Sequence, residues 1–367
     1  MITTIKQIFS KSNKDIRNKI LFTLGVLVIF KLGTTIPVPG TQSILQDLGF
    51  LELMNLMSGG ALQNFSIFAL GVTPYINASI IMQLLEMDIV PYFSDLKNQG
   101  ATGRRKLNQI SRYVGIALAF IQGYIFSFAF FGQNVGTLEY MKIAVVLTAG
   151  TAFVLWLGDQ ITQKGIGNGI SLIIMAGIIA SLPNMFITAF SEFVEFTSLQ
   201  TIIIGFVSYA IFIAIYLFIV IGVIFVQQAE RRIPIQYANR TTSAYGGQQT
   251  YMPVKINSAG VIPVIFASIL ISIPATIAKF INNDGFTSFV NGYINYDTVT
   301  GFVLYIILIL FFAYFYTFMQ LNPKELSENL NKNGGYIPGV KPGKETEKHI
   351  RTVLSKLTSI GALFLVV

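Results

Sequence analysis

Ile202-Ile-Ile-Gly-Phe-Val-Ser-Tyr-Ala-Ile-Phe-Ile-Ala-Ile-Tyr-Leu-Phe-Ile-Val-Ile-Gly-Val-Ile-Phe-Val226 runs for 25 residues without one charge, and Glu230, Arg231 and Arg232 follow almost at once. A helix of that length crosses the ~30 Å hydrocarbon core of a bilayer. Seven further runs have the same character: Ile20 to Val38, Phe65 to Leu85, Val114 to Phe131, Ile143 to Leu157 with its flanks, Ile170 to Phe190, Gly260 to Ile281 and Gly301 to Leu321. A ninth begins near Val353; from Leu357 to Val367 it offers eleven residues, too few to span, so the sequence is expected to stop inside a helix of a longer protein. Mean hydropathy is +0.64, with 53% hydrophobic and 11% charged residues. Such a composition has the bilayer as its solvent. The fold class expected is an all-α polytopic membrane protein of eight spans plus the start of a ninth.

The charges between the runs orient the chain. Of 25 Lys and Arg, 22 fall on one side: in the N-terminus, in the loop holding Arg104, Arg105, Lys106 and Arg112, at Lys164, and in the loops holding Arg240 with Lys255 and Lys341 with Lys344. Lys142 and Lys279 border the other side, and Lys31 lies within the first run, near enough to its outer end to snorkel. By the positive-inside rule the N-terminus is cytoplasmic. The first run is too long for a signal-peptide core and is followed by further spans, so it reads as a retained helix. Cysteine is absent, and His349 is the single histidine, so neither a disulfide framework nor a metal site is expected.

Three features bear on function. The first outer segment contains Phe50-Leu-Glu-Leu-Met-Asn-Leu-Met57 and then Ser58-Gly59-Gly60-Ala61, about a dozen apolar residues that cannot span. It either folds back into a cavity or lies as an amphipathic helix on the outer surface. Two inner loops, Gln227 to Ser258 and Asn322 to Arg351, are long, basic and rich in turn formers, which suits docking surfaces, although charge alone would serve topology. Polar and helix-bending residues collect in the second run (Thr73, Pro74, Asn77, Ser79, Gln83) and the seventh (Pro263, Ser268, Ser272, Pro274), marking central helices that face a bundle interior or a wet cavity. Gly165-Ile-Gly167-Asn-Gly169 lacks the spacing and preceding strand of a dinucleotide site, and Gly339 to Glu345 falls one residue short of a phosphate loop.

Ser58-Gly-Gly-Ala-Leu62, Phe65-Ser-Ile-Phe-Ala-Leu-Gly71-Val-Thr-Pro-Tyr-Ile-Asn-Ala-Ser-Ile80, Gly103-Arg-Arg-Lys106, Trp156-Leu-Gly-Asp-Gln-Ile-Thr162, Gly165-Ile-Gly-Asn-Gly-Ile-Ser171, Ala259-Gly-Val-Ile-Pro263 and Pro338-Gly-Val-Lys-Pro-Gly343 closely resemble the bacterial SecY family of protein-translocation channels. The resemblance covers the whole chain. It implies a ten-helix bundle of two inverted five-helix halves around a pore. Residues 1–190 would form the N-terminal half, and 191–367 an incomplete C-terminal half.

Met54-Asn55-Leu56-Met57-Ser58-Gly59-Gly60-Ala61-Leu62-Gln63-Asn64 would be the re-entrant plug. Val72, Ile76, Ile170, Ile174 and Ile265 would form the pore ring, and Asn77 and Gln83 would lie near a lateral gate that receives signal sequences. Arg240, Lys255, Lys341 and Lys344 would belong to the cytoplasmic docking surface. The resemblance further implies SecE-like and SecG-like small membrane subunits, a SecA motor ATPase, a ribosome, preprotein substrates and membrane lipids as partners. It implies no cofactor and no catalytic residue, and a location in the bacterial cytoplasmic membrane.

The sequence departs from the family pattern in places: Lys341 stands where relatives usually have Arg, the loop tip after Arg240 lacks the usual basic pair, and Val72 replaces the commoner Ile. A lysine cannot reproduce the forked contact of arginine. Two other classes remain as alternatives: an ion-coupled secondary transporter, which also uses inverted repeats but generally holds carboxylates or histidines near the midplane, and an intramembrane enzyme, which needs a buried catalytic pair.

Overall fold

The computed structural model describes residues 14–41, 52–86, 90–131, 136–194, 198–237, 250–281, 284–295 and 298–366. The chain divides into two compact units, Met1–Phe190 with Thr276–Asn283, and Ser191–Ala275 with Asp284–Val367. Among the described residues six helical stretches are long and apolar enough to cross a membrane: Ala101–Phe131, Thr137–Lys164, Gly169–Phe193, Gln200–Gln228, Val299–Lys332, which is interrupted at Leu321 and Asn322, and Lys344–Val366.

The first unit contains α1 (Lys14–Gly33), α2 (Glu52–Met57), α3 (Thr73–Leu85), α4 (Pro91–Asn98), α5 (Ala101–Phe131), α6 (Thr137–Lys164) and all but the last turn of α7 (Gly169–Phe193). The buried residues of α5 include Gly103, Leu107, Ser111, Gly115, Ala119, Gly123 and Ser127, one at every fourth position. That stripe of mostly small side chains lets backbones approach, as helices in lipid require where no hydrophobic force drives them together. A Cβ on Gly123 would lie 3.3 Å from Ala144 Cα of α6, and one on Gly115 3.1 Å from Tyr75 Cα of α3. The hydroxyls in the stripe donate back to their own helix, Ser111 to Leu107 O (2.9 Å) and Ser127 to Gly123 O (2.6 Å), so both serine hydroxyls are paired. Arg112 on α5 pairs with Asp159 on α6 at 2.7 Å.

The second apolar run departs from expectation. It is helical only from Thr73; residues 65–72 form a chain of turns. Phe65 (φ 42°) and Gly71 (φ 53°) occupy the left-handed region, which no α-helix admits, and Pro74 sits in the first turn of α3, where its missing N–H costs nothing. The irregular backbone is satisfied by another part of the chain: Val38 N–H donates to Phe65 O and Ile67 N–H to Ile36 O, both at 3.0 Å. Phe65, Phe68, Ala69, Leu70 and Val72 are buried around it. Non-helical chain at membrane depth is tolerated where protein covers it.

The second unit contains α8 (Leu199–Gln228), strands β1 (Glu230–Tyr237) and β2 (Thr250–Lys255), most of α9 (Ile262–Ile281), α10 (Asp284–Phe289), α11 (Val299–Gln320), α12 (Pro323–Lys332), β3 (Gly335–Tyr336) and α13 (Lys344–Val366). The short sheet, in order β2-β1-β3 and antiparallel throughout, lies within the two long loops that the sequence reading left without structure. Strand β1 alternates: Ile233 and Ile235 are buried while Arg232 and Gln236 are exposed. The two isoleucines join Val254, Leu330, Ile337, Ile350 and Leu354 in one apolar cluster. The described parts of the two basic loops are therefore one folded body.

Candidate functional site

The site in the first unit is built around the turn that follows α2. Ser58 N–H donates to Met54 O (3.0 Å), Gly59 N–H to Leu56 O (3.1 Å) and Gly60 N–H to Asn55 O (2.9 Å), so the carbonyls of Met54, Asn55 and Leu56 at the end of the short helix are used. Gly59 (φ 71°) and Gly60 (φ 84°) supply the left-handed conformation that this closure needs. Asn55 Oδ1 accepts from Gln63 N–H at 3.0 Å, which ties the two ends of the segment together. Met54, Asn55, Met57, Ser58, Gly59, Ala61 and Leu62 are buried, Leu56 and Gly60 are half-buried, and Gln63 and Asn64 are exposed. Most of the segment thus lies inside the first unit.

Ala61 belongs to an apolar cluster with Phe68, Val72, Val154, Leu157 and Ile173, and Ile76, Ile170 and Ile174 pack against that same cluster. Four of the five expected ring residues therefore meet next to the segment. Their positions follow from α3, whose start is set by Val72 and Pro74, and from α7. A Cβ on Gly169 would collide with Gly158 O, so only glycine lets α7 begin this close to α6 and carry Ile170 inward. Ile265 lies on α9, half-buried.

Asn77 and Gln83 on α3 are half-buried, and Asn77 Oδ1 and Gln83 Oε1 are enclosed without a hydrogen-bond partner among the described residues. Buried acceptors are nearly always paired, so both are places where another group can bond. Gln83 opens on a recess of about 370 Å³ lined also by Tyr75, Ser79, Glu86, Lys97, Arg104, Asn108 and Ser111. Burial raises the pKa of Glu86, one residue past α3, while Lys97 and Arg104 pull it down less strongly.

Lys341 is exposed on the turn before α13, Lys344 is exposed at the first residue of α13, and Lys255 is exposed at the end of β2. Thr346 Oγ1 donates to Lys341 O and Ser327 Oγ to Gly343 O, both at 2.9 Å, which fixes the turn against α12 and α13. Lys341 lines an open cavity of about 520 Å³ with Glu345, Lys348, His349 and Thr352. Arg240 lies outside the described residues.

Sequence reasoning missed one contact. Lys31, an exposed residue of α1, donates from its Nζ to Gly59 O at 3.1 Å, across 28 residues of sequence. The available signal was its isolation as the one ionisable residue within an early run.

A sequence model of the family described as SecY matches residues 66–367. The chain belongs to the SecY family. The protein translocase subunit SecY of Staphylococcus aureus (strain NCTC 8325 / PS 47) is 48% identical over 385 residues, spanning 100% of this chain and 87% of that protein. A solved SecY channel, whose plug domain is described as stabilising the closed state and maintaining a membrane seal, superposes with a TM-score of 0.65 at 20% identity over 95% of this chain and 84% of its own. Sec61 in a canine ribosome-channel complex from the endoplasmic reticulum gives a TM-score of 0.61 at 19% identity, over 95% and 84%. Likeness at that identity establishes the fold: this SecY-family chain has the architecture of the translocation channels. It is a multi-pass membrane protein and a channel subunit.

Proposed function

We propose that this chain is the central pore-forming subunit of a Sec translocase, conducting unfolded preproteins across the bacterial cytoplasmic membrane and releasing apolar segments sideways into lipid. The observation that carries the reading is the 48% identity with a protein translocase subunit over the full chain. The first unit adds support, because a non-spanning segment is buried there beside Val72, Ile76, Ile170 and Ile174.

In this reading Met54 to Asn64 is the plug and the four aliphatic residues are part of the ring; Ile265 is carried with them from the family resemblance. A narrow apolar collar excludes water and ions when empty, yet offers a passing polypeptide no fixed polar partner that would hold it. The unpaired carbonyl oxygens of Asn77 and Gln83 suit a gate that must tolerate backbone N–H groups before an apolar segment partitions into lipid, where transfer of Leu, Ile, Phe and Val is favourable. The N-terminus faces the cytoplasm, as does the body carrying Lys255, Lys341 and Lys344. That body, with Arg240, docks a SecA-like motor ATPase or a ribosome through charge complementarity with acidic protein or RNA phosphate. SecE-like and SecG-like subunits complete the assembly. Work is supplied by the motor, by synthesis on the ribosome or by the proton motive force.

The test is photocross-linking of a stalled preprotein. Photoreactive residues at Ile76, Ile174 and Ile265 are expected to cross-link to the same short stretch of substrate, and one at the fully buried Ala78 to none. Cross-links to lipid at the three positions would remove them from the conducting path.

A further inference from the structure

The turn that closes the candidate plug is held from two sides. On one side Lys31 Nζ reaches from α1 to Gly59 O at 3.1 Å. On the other, a Cβ added to Gly59 would lie 3.2 Å from Gly177 Cα of α7, and one added to Gly177 would collide with Met57 O. The glycine pair gives a tight but non-directional fit. The lysine contact differs in kind, because a charge-assisted hydrogen bond is directional and about twice as strong as a neutral one. Lys31 is an exposed residue of α1, and its ammonium pairs with the Gly59 carbonyl, which accepts from no backbone N–H among the described residues. The Gly59 carbonyl follows the last turn of α2, where Gly59 and Gly60 use their N–H groups on Leu56 O and Asn55 O.

We infer that Lys31 is the positioning residue of the plug: its ammonium latches the Gly59 carbonyl to α1, and breaking that one bond sets how strong a signal sequence must be to open the channel. This rests on residues 54–64 acting as the seal. The plug then has a graded hold, with shape complementarity at Gly177 and a directional, replaceable contact at Lys31. Opening needs displacement of the turn, and the bond is lost within the first ångström of that movement.

The chain is cysteine-free, which permits a test within one folded sample. Lys31→Cys channel, reconstituted with its partner subunits in a planar bilayer, is expected to leak ions about tenfold more at rest than the parent, the factor that loss of a charge-assisted hydrogen bond gives. Reaction with 2-aminoethyl methanethiosulfonate rebuilds a lysine-like ammonium and is expected to restore the seal; propyl methanethiosulfonate, the same length without charge, is not. Lys31→Arg should hold the seal, and Lys31→Met should also admit preproteins with weakened signal sequences. In a channel lacking Asn55 to Asn64, Lys31→Met should add no further leak. A parental leak in both Lys31→Cys and Lys31→Met overturns the latch while leaving the plug intact as a reading. Added leak in the deletion background overturns it too, since Lys31 would then act on helix packing. A deletion that leaks no more than the parent removes the plug reading, and the latch with it.

Discussion

Single residues carry much of the chemistry, and Glu86 is the clearest case for titration. It stands at the end of α3 in the recess shared with Gln83, Lys97 and Arg104. Burial raises its pKa above the ordinary 4.5, an effect stronger than the attraction of the two cations. A raised folded-state value means that the folded chain binds this proton more tightly than the unfolded chain. The residue therefore favours folding below pH 4.5, and that contribution is lost as pH rises through the folded value. Glu86→Gln should unfold at a higher temperature than the parent at neutral pH, with the difference vanishing below about pH 4; thermal unfolding in detergent across that range is the measurement. Equal melting temperatures at neutral pH would mean that the cations fully offset the burial. The Asp159 partner of Arg112 is legible only in three dimensions, because the two are 47 positions apart on separate helices. Likewise nothing in the sequence distinguishes Ile76, Ile170 and Ile174 from other aliphatics in the same helices. The resemblance selected them, and the structure brings them to one cluster.

At the scale of elements, long uncharged runs announced α5, α6, α8 and α11, because hydropathy over about 20 residues has few competing explanations. The same signal misread residues 65–72, whose apolar side chains suit a helix while the backbone is turned by Phe65 and Gly71 and tied to Ile36 and Val38. What decides such a segment is its distant partner, and hydropathy is blind to it. The sheet escaped notice for the same reason: Gln236 pairs with Tyr336, a hundred positions on. Helix α6 supports the irregular segment directly, since a Cβ on Gly150 would run into the carbonyl oxygen of Ile67. Backbone cannot yield as a flexible side chain does. Gly150→Ala should therefore destabilise the protein by about 1–3 kcal/mol, the range for overpacking. Gly25→Ala, in the middle of α1 with nothing within 4 Å of the new methyl, should be neutral or stabilising by up to about 1 kcal/mol. Size-exclusion profiles after graded heating compare the two. Equal loss in both would point to general intolerance of bulk, not to the α6 contact.

For the whole molecule, charge asymmetry and fold class were open to inspection, because a bilayer imposes both on any chain that crosses it. The basic body of the second unit, proposed above as the docking surface, was only half legible: its charges were visible, its sheet was not. The sheet has a consequence for mutagenesis. Lys341 sits on a turn fixed by Ser327 and Thr346 and exposes its side chain, so reversing its charge leaves the apolar cluster of Ile233, Ile235, Val254 and Ile350 untouched. Lys341→Glu should accumulate in the membrane at the parental level, with unchanged melting temperature and unchanged resting ion leak, while preprotein export falls at least about tenfold, as expected when an exposed cation facing an anionic partner is turned into a like charge. Lys341→Arg should keep or improve export, since guanidinium forks onto carboxylate and phosphate where ammonium makes a point contact. The loss should deepen as ionic strength falls, because screening that relieves the new repulsion weakens over a lengthening Debye distance. Export assays at two salt concentrations with purified motor read this directly. Parental export by Lys341→Glu at low salt would assign the basic charge of this loop to orienting the chain in the bilayer, and docking would have to rest on other residues of the same body.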